Sequence, residues 1–427
     1  MSPRFEKEIL GKKNFTSGAT PTTMKIQNHT AFVLLTVPFF LSVLIADVIP
    51  AFQIIAALRF PLFVVSCFMA IILSKNRLPA KRLALLLGLF SGFGLLSILW
   101  SQSPLISLER AILNTAVSVA LVSYATAFSS AMQLRILRSY AIAFTTIIAV
   151  ITIYGVLFKQ GELYFQGNFR GGLANSNILA QFILVFTIPL ALSRLGKGFI
   201  AKIAPLSLLL LALLVLWLTR SRASLLAMSV GVGVFVNSQR KFTKRILFIL
   251  TLVLLAIYFA PDLVGIISSK YTGAGVFGTR MILWTLHLDA ILDQPILGYG
   301  IGVNPVNFKG IEDFLRDTEK GSSLITLPEE LGIPFFLFFL IFAGRRIVQS
   351  FKKIVTSVRE GSLPQLAVFP AIVVLVSFAH GVFEAWIFNF GNVAAIFLWM
   401  CVAFIFRVQA EGRRAQKAQG KCRSANK

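Results

Sequence analysis

Long apolar stretches alternate with short polar connections along almost the whole chain. Most stretches approach or reach the roughly 17–25 residues that a helix needs to cross the hydrocarbon core of a membrane. The pattern therefore predicts an all-α integral membrane protein with about twelve transmembrane helices. They are expected near residues 30–48, 52–74, 83–100, 109–129, 140–158, 173–193, 203–219, 223–238, 246–260, 324–343, 365–384 and 389–406.

These helices divide the chain into five predicted parts. A cytoplasmic tail, 1–29, precedes helices 1–9 in 30–260; an outer loop, 261–322, leads to helices 10–12 in 323–406; and a basic cytoplasmic tail covers 407–427. The first apolar stretch follows about thirty mostly polar residues and lacks a small-residue cleavage site, so no cleaved signal is expected.

The distribution of charge orients the predicted helices. If the connections alternate between two sides, 30 of the 41 Lys and Arg residues fall on one side, in a chain of net charge +24. Short cytoplasmic loops carry such an excess, so both termini are predicted to be cytoplasmic. The basic residues lie in clusters between apolar stretches, as membrane flanks do, so we expect a lipid bilayer and no nucleic acid as partner.

Composition gives the same class and no sign of a cofactor. Apolar residues make up 56% of the chain and charged residues 14%, against about 45–50% and about 25% in soluble domains. The three cysteines, Cys67, Cys401 and Cys422, lie far apart and match no metal or disulfide spacing. We therefore predict neither a metal site nor a cofactor.

Two arginines, Arg220 and Arg222, lie at the predicted outer boundary between helices 7 and 8. One interpretation is that they anchor the helices at the membrane interface. The other is that two guanidinium groups so close together bind an anionic group. Membrane insertion does not require basic residues on this side, which favours binding.

The outer loop contains a predicted helix from Arg280 to Leu292, ended by Gln294-Pro295. Arg280, Trp284 and His287 share one face of it, although an amphipathic helix lying on the membrane would show the same pattern. The segment 298–302, GYGIG, follows no strand, so it is predicted to be a flexible turn and not a nucleotide loop.

Carboxylates and histidines on the outer side are the candidates for acid–base chemistry. Adjacent Glu329 and Glu330 supply either a base or an ion-pair partner, and neighbouring helix positions diverge, so only one is expected to face a given site. His380 is followed by Glu384 at the i+4 position, where a carboxylate can orient an imidazole. Metal binding would need further ligands.

Four separated segments carry distinct patterns. Residues 171–180 fit Gly-x-x-x-Asn-x-Asn-x-x-Ala, and residues 221–227 are similar to Ser-Arg-Gly-x-Leu-x-Ala. Residues 280–284 fit an Arg-x-x-x-Trp helix, and residues 295–302 fit a Pro-x-x-Gly-x-Gly-x-Gly turn. In this order, the four segments resemble those of the O-antigen ligase and polymerase superfamily of bacterial membrane enzymes. The resemblance implies glycosyl transfer from a polyprenyl-diphosphate-linked glycan, without metal, at the outer face of the bacterial inner membrane.

The chain departs from the ligase pattern at one position. Ligases of this superfamily usually carry a histidine just before the span that ends in Glu-Leu-Gly-Ile, whereas this chain has Gly321-Ser322-Ser323 there and keeps 330–333 as ELGI. The resemblance therefore slightly favours a polymerase over a ligase. The implied acceptor is another glycan or the lipid A core, with polysaccharide-assembly proteins as possible partners. A lipid-linked sugar flippase or a twelve-span transporter is the alternative.

The chemistry of such a transfer suggests roles for particular residues. The leaving diphosphate needs fixed positive charge and the acceptor hydroxyl needs a base. For the diphosphate we assign Arg222 and Arg280, supported by Arg220 and Arg170. For the base we assign Glu330 or Glu329 first and His380 second. For glycan contacts we assign Trp284, Asn177, Ser322 and Glu384.

Overall fold

The computed structural model shows a bundle of helices. The structure describes residues 21–46, 49–74, 78–158, 163–165, 168–173, 175–194, 200–238, 278–305, 320–361, 363 and 365–425. The predicted ninth span, 246–260, and two parts of the outer loop, 261–277 and 306–319, lie outside these residues.

The described helices follow the apolar stretches closely, with a two-stranded antiparallel hairpin between α6 and α7. In chain order they are α1 Pro21–Ala46, α2 Gln53–Ala57, α3 Arg59–Leu73, α4 Lys81–Leu96, α5 Pro104–Ala127, α6 Ser130–Phe158, β1 Tyr164–Phe165, β2 Asn168–Phe169, α7 Ser176–Phe182, α8 Ile188–Ser193, α9 Ile200–Thr219, α10 Arg222–Ser238, α11 Gly278–Asp293, α12 Ser323–Leu331, α13 Ile333–Glu360, α14 Val368–Gly381 and α15 Val393–Ala425. A π-helical turn, Ile183–Thr187, joins α7 to α8.

Seven of the described segments are long and apolar enough to cross a membrane, and four more are apolar but shorter. Together they overlap eleven of the twelve predicted stretches. The predicted class, an all-α membrane protein, is therefore confirmed by the length and composition of the helices. The number twelve and the orientation of the helices stay predictions.

One predicted transmembrane stretch is divided in the structure. The stretch 324–343 is not one helix, because α12 ends at Leu331 and α13 begins at Ile333. Gly332 lies between them at φ 83°, and a Cβ there would come within 1.9 Å of the Ile296 carbonyl oxygen, so the break requires glycine. The segment 407–427, predicted as a basic cytoplasmic tail, is helical as far as Ala425, and its side of the membrane stays a prediction.

The centre of the bundle consists of α7–α8, α14 and the first half of α15, whose side chains are almost all buried. Phenylalanines fill much of this core; the Phe144 and Phe186 rings, for example, stack with centroids 4.3 Å apart. The surrounding helices α3, α4, α6 and α13 expose large apolar side chains on their outer faces. This pattern suits a bundle surrounded by lipid.

Connections predicted to lie on the same side of the membrane meet at the same end of the bundle. At one end, here called the basic end, Arg407 donates to the carbonyls of Leu78 and Ala125, and Ser130 donates to Glu411. The opposite end, here called the acidic end, holds Glu329 and Glu330. There Trp100 Nε1 donates to the Leu297 carbonyl, 2.9 Å away.

Candidate functional site

The glycine-rich turn 298–302 is packed firmly against α12. The Tyr299 and Gly300 amides donate to the carbonyls of Glu329 and Glu330, at 2.9 and 3.0 Å. Gly298 has φ 68°, and a Cβ there would lie 2.6 Å from the Glu329 carbonyl oxygen. The prediction of a flexible turn was therefore wrong: these glycines allow backbone to approach backbone, and four of the turn's five amides are hydrogen-bonded.

Lys320 is the centre of an ionic network just beyond this turn. Its Nζ lies 3.1 Å from Glu329 Oε2 and 2.9 Å from Glu330 Oε1. The same ammonium also donates to the Val303 carbonyl, so it ties the glycine turn to α12. Burial alone would lower the pKa of Lys320, but the charges of Glu330 and Glu329 outweigh that effect and raise it above its ordinary value.

His287 completes the network from α11. Its Nδ1 lies 2.6 Å from Glu329 Oε1, and because a carboxylate only accepts hydrogen bonds, Nδ1 carries the proton. The Glu329 side chain is 0% exposed and that of Glu330 is 12% exposed. His287 Nε2 is buried, with no hydrogen-bond partner among the described residues. Glu329 is thus enclosed, whereas Glu330 is accessible.

The network corrects the expectation that only one of the two glutamates would face a given site. Both reach one ammonium, because Lys320 approaches between their diverging side chains. Sequence reasoning missed Lys320 altogether. The residue precedes α12 and so belongs to no helical pattern; the only available signal was a basic residue on the acidic side of the chain.

His380, in the last turn of α14, contacts Trp386 and Ser224. Trp386 Nε1 donates to Nδ1 at 2.9 Å, so Nδ1 carries no proton; a neutral ring then carries it on Nε2, which lies 3.0 Å from Ser224 Oγ. Because α14 ends at Gly381, Glu384 is not on the same helical face and the i+4 argument does not apply. The lone pair that a base would use is already occupied by Trp386.

Hydrogen bonds join four sequence-distant segments at the acidic end. Ser323 Oγ donates to the Glu384 carbonyl at 2.8 Å and accepts from the Trp386 amide at 3.1 Å. Trp284 Nε1 donates to the Gly321 carbonyl at 3.2 Å. With the contact between His380 and Ser224, these bonds connect residues 221–224, 284–287, 320–330 and 380–387. The predicted shared face of Trp284 and His287 is confirmed, since both contact the 320–330 segment.

The candidate arginines lie at or near the start of helices. Arg222 is the first residue of α10 and is half-buried, whereas Arg220 is exposed and has a positive φ of 54°. Arg280 is in the first turn of α11, but its side chain lies outside the described part of the chain. Arg170 follows β2, which packs against α9, the helix that ends at Thr219.

Most of the residues predicted to contact glycan are buried or take part in helix capping. Ser322 is 2% exposed and its Oγ caps α12 by accepting from the Leu324 amide. The Asn177 amide donates to Asn175, the cap of α7, and the Asn177 side chain is half-buried. Glu384 is 5% exposed. Trp284, which is half-buried and stacks on Phe383, retains an accessible aromatic surface.

Two further arginines at the acidic end were not predicted as site residues. Arg59 begins α3 after a break at Leu58, and its Nη2 donates to the Gly391 carbonyl at 3.3 Å. Arg59 therefore lies at the start of α3, inside the membrane-length segment Gln53–Leu73. Arg110 Nη1 lies 3.4 Å from Asn389 Oδ1. A Cβ on Gly302 would lie 2.4 Å from Arg110 Cγ, so the third glycine of the turn makes room for this arginine.

The comparison with known families agrees with the resemblance found in the sequence. Residues 207–326 match the family of O-antigen ligases. This confirms the resemblance and supports a glycosyltransferase-like enzyme of the O-antigen ligase or polymerase type, in a multi-pass bacterial inner membrane protein. Such a family implies a lipid-linked glycan donor and a glycan acceptor. No curated protein matches the chain.

Proposed function

We propose that the protein transfers a glycan from a polyprenyl diphosphate carrier to the hydroxyl of an acceptor glycan, at the acidic end of the bundle. One observation carries the proposal. The start of α10 with Arg222, the His380 loop and the Lys320 network come from distant parts of the sequence and are joined by hydrogen bonds. A cluster of paired carboxylates, an ammonium and arginines at the end of a bundle surrounded by lipid suits a substrate whose tail stays in the bilayer.

Arg222 and Arg280 are proposed to bind the diphosphate. Both belong to the first turn of a helix, where free backbone amides and the helix dipole favour anions. A guanidinium adds a fixed charge that can hold phosphate oxygens in pairs. Arg220 and Arg170 supply further positive charge near the same helices.

Glu330 is proposed to accept the proton from the acceptor hydroxyl. Its side chain is accessible, whereas Glu329 is enclosed between His287 and Lys320 and His380 has its free lone pair occupied. Lys320 is a positioning residue in this scheme: it holds the Glu330 carboxylate 2.9 Å away and balances its charge. This order, Glu330 before Glu329 and His380, follows from accessibility.

The transfer balances without a further reactant. The acceptor oxygen forms a bond to C1 of the donor sugar, and the bond between C1 and the phosphate oxygen breaks. The polyprenyl diphosphate leaves with the bonding electron pair, stabilised by arginine charge. The hydroxyl proton passes to the Glu330 carboxylate. Little protonation of the leaving group is needed, because it is already a stable anion.

Among the two family activities we favour polymerisation, with another lipid-linked glycan as acceptor. The ligase-type histidine is absent at 321–323, and that segment is used instead to cap α12 and to hold the 384–387 loop. A polymerase produces a ladder of longer lipid-linked glycans, whereas a ligase transfers one unchanged glycan to a different acceptor.

The proposal is tested with purified protein in vesicles that contain polyprenyl-diphosphate-linked repeat units. We expect a ladder of products with the wild type, a loss of about 10²–10⁴-fold in rate with Glu330→Gln, and unchanged products with Glu109→Gln. Glu109 is exposed at the same end of the bundle, so it controls for loss of one negative charge. Movement of the donor between leaflets without any glycan product would refute transfer and favour the flippase.

A further inference from the structure

The basic end of the bundle contains a cavity with two chemically different walls. It has a volume of about 430 Å³ and lies beside α4 and α13. Three arginines, Arg82, Arg345 and Arg346, form one wall. Phe338, Ile341 and Phe342 form the other, toward the middle of the apolar half of α13.

Positive charge at this cavity is crowded and poorly compensated. Arg82 is close enough to Arg346 and Arg413 for their charges to repel. Arg82 Nη1 donates to the neutral Gln409 side chain at 2.9 Å, and Arg346 stacks over the Phe342 ring at 4.1 Å. Within the described residues, no aspartate or glutamate lines this cavity.

A second cavity, of about 250 Å³, adjoins the first at Arg82. Lys81 of α4 and Arg413 of α15 line it and extend the positive surface, whereas Arg407, also in its lining, is buried and paired with Glu411 at 2.8 Å. Orientation in a membrane requires basic residues at this end, but it does not require them to converge from three helices on a hollow.

The apolar wall faces outward from the bundle. Phe338 is 49% exposed and Ile341 is 67% exposed, so both face the lipid around α13. A ligand that fills the cavity must therefore be anionic at the arginine wall and apolar along the adjacent helix. Inorganic phosphate satisfies only the first condition and a fatty chain only the second.

We propose that this cavity binds one anionic phospholipid, with its phosphate at Arg82, Arg345 and Arg346 and an acyl chain along Phe338 and Ile341. Basic pockets between membrane helices bind such head groups by the same combination of charge and apolar contact. The site is at the opposite end from the proposed transferase site, so it stands whether or not that proposal is correct.

Binding of fluorescent phosphatidylglycerol to the purified full-length protein in neutral detergent tests the proposal. We expect the double variant Arg345→Gln/Arg346→Gln to bind about 25-fold more weakly, about fivefold for each charge removed. The matched control is Lys352→Gln/Lys353→Gln, which removes the same charge seven residues further along α13, outside the cavity. Its affinity is expected to be unchanged.

A charge-conserving variant, a neutral lipid and a folding check serve as further controls. Arg345→Lys/Arg346→Lys keeps the charge and should retain most of the binding, and thermal unfolding confirms that each variant is folded. Phosphatidylcholine should bind about tenfold more weakly, since it has no net charge. Equal binding of phosphatidylcholine, equal losses in the two glutamine variants, or displacement by inorganic phosphate but not by chloride of the same ionic strength would each overturn the proposal.

Discussion

Replacing Lys320 with methionine tests the ionic network most severely. The substitution keeps an unbranched apolar side chain but removes the ammonium that contacts both Glu329 and Glu330. Among the described residues, His287 would then be the remaining ionic partner of the fully enclosed Glu329 carboxylate. Removing one partner of a buried ion pair typically costs about 3–5 kcal/mol, and we expect a loss of stability in this range.

The two glutamates make this prediction specific. Adding Glu329→Gln to Lys320→Met removes the enclosed charge while keeping an acceptor for His287, so it should restore about half of the lost stability. Adding Glu330→Gln should restore much less, because the Glu330 side chain is 12% exposed and keeps access to solvent. The ranking follows from burial alone.

Thermal unfolding in detergent, followed by tryptophan fluorescence, measures these changes. Lys352→Met is the matched control, because Lys352 is exposed at the other end of the bundle and should change little. The reasoning is refuted if Lys320→Met is as stable as Lys352→Met, or if Glu330→Gln restores more stability than Glu329→Gln.

Three further predictions concern residues at the acidic end of the bundle. Gly332→Ala should lower the free energy of unfolding by at least about 3 kcal/mol, because the new Cβ would clash with the backbone at Ile296. Gly361→Ala is the control: Gly361 has φ 80° but no atom near its Cβ position, so the loss should be about 1 kcal/mol. Thermal unfolding measures both variants. Trp386→Phe removes the donor to His380 Nδ1 and should lower the free energy of unfolding by about 1–3 kcal/mol. ¹⁵N NMR should then show a changed ratio of the two neutral tautomers of His380. An unchanged ratio would contradict the hydrogen bond from Trp386. The raised pKa of Lys320 means that its stabilisation is fully present below the ordinary value of about 10.4 and is lost only as the pH rises through the higher folded value. A loss of stability between pH 6 and 9 that Lys320→Met abolishes would contradict this.

Much of the helical framework could be predicted from the sequence, because a membrane-spanning helix needs only a sufficiently long apolar stretch. The break at Gly332 could not, since it depends on the close approach of the Ile296 carbonyl from a different part of the chain. The helical continuation to Ala425 was hidden by its polar composition. A hydropathy pattern identifies the part of a helix that lies in lipid, and it does not show where the helix ends in water.

Some residues of the candidate site could be chosen from the sequence, but their contacts could not. Glu329, Glu330 and Trp284 were chosen from position and residue type; the two glutamates share Lys320, and Trp284 donates to the Gly321 carbonyl of the same segment. Lys320 was missed because an ion pair across a non-helical segment leaves no period in the sequence. The i+4 argument for His380 and Glu384 failed because it assumed a helix that in fact ends at Gly381.

The central claim is that the protein breaks the bond between sugar and lipid diphosphate. The most direct test is to measure free polyprenyl diphosphate and new glycosidic bonds together, with purified protein and lipid-linked repeat units in vesicles. We expect one diphosphate to be released for each glycosidic bond formed, and both products to be lost in Arg222→Ala. Release of no diphosphate while the donor crosses the membrane would contradict it.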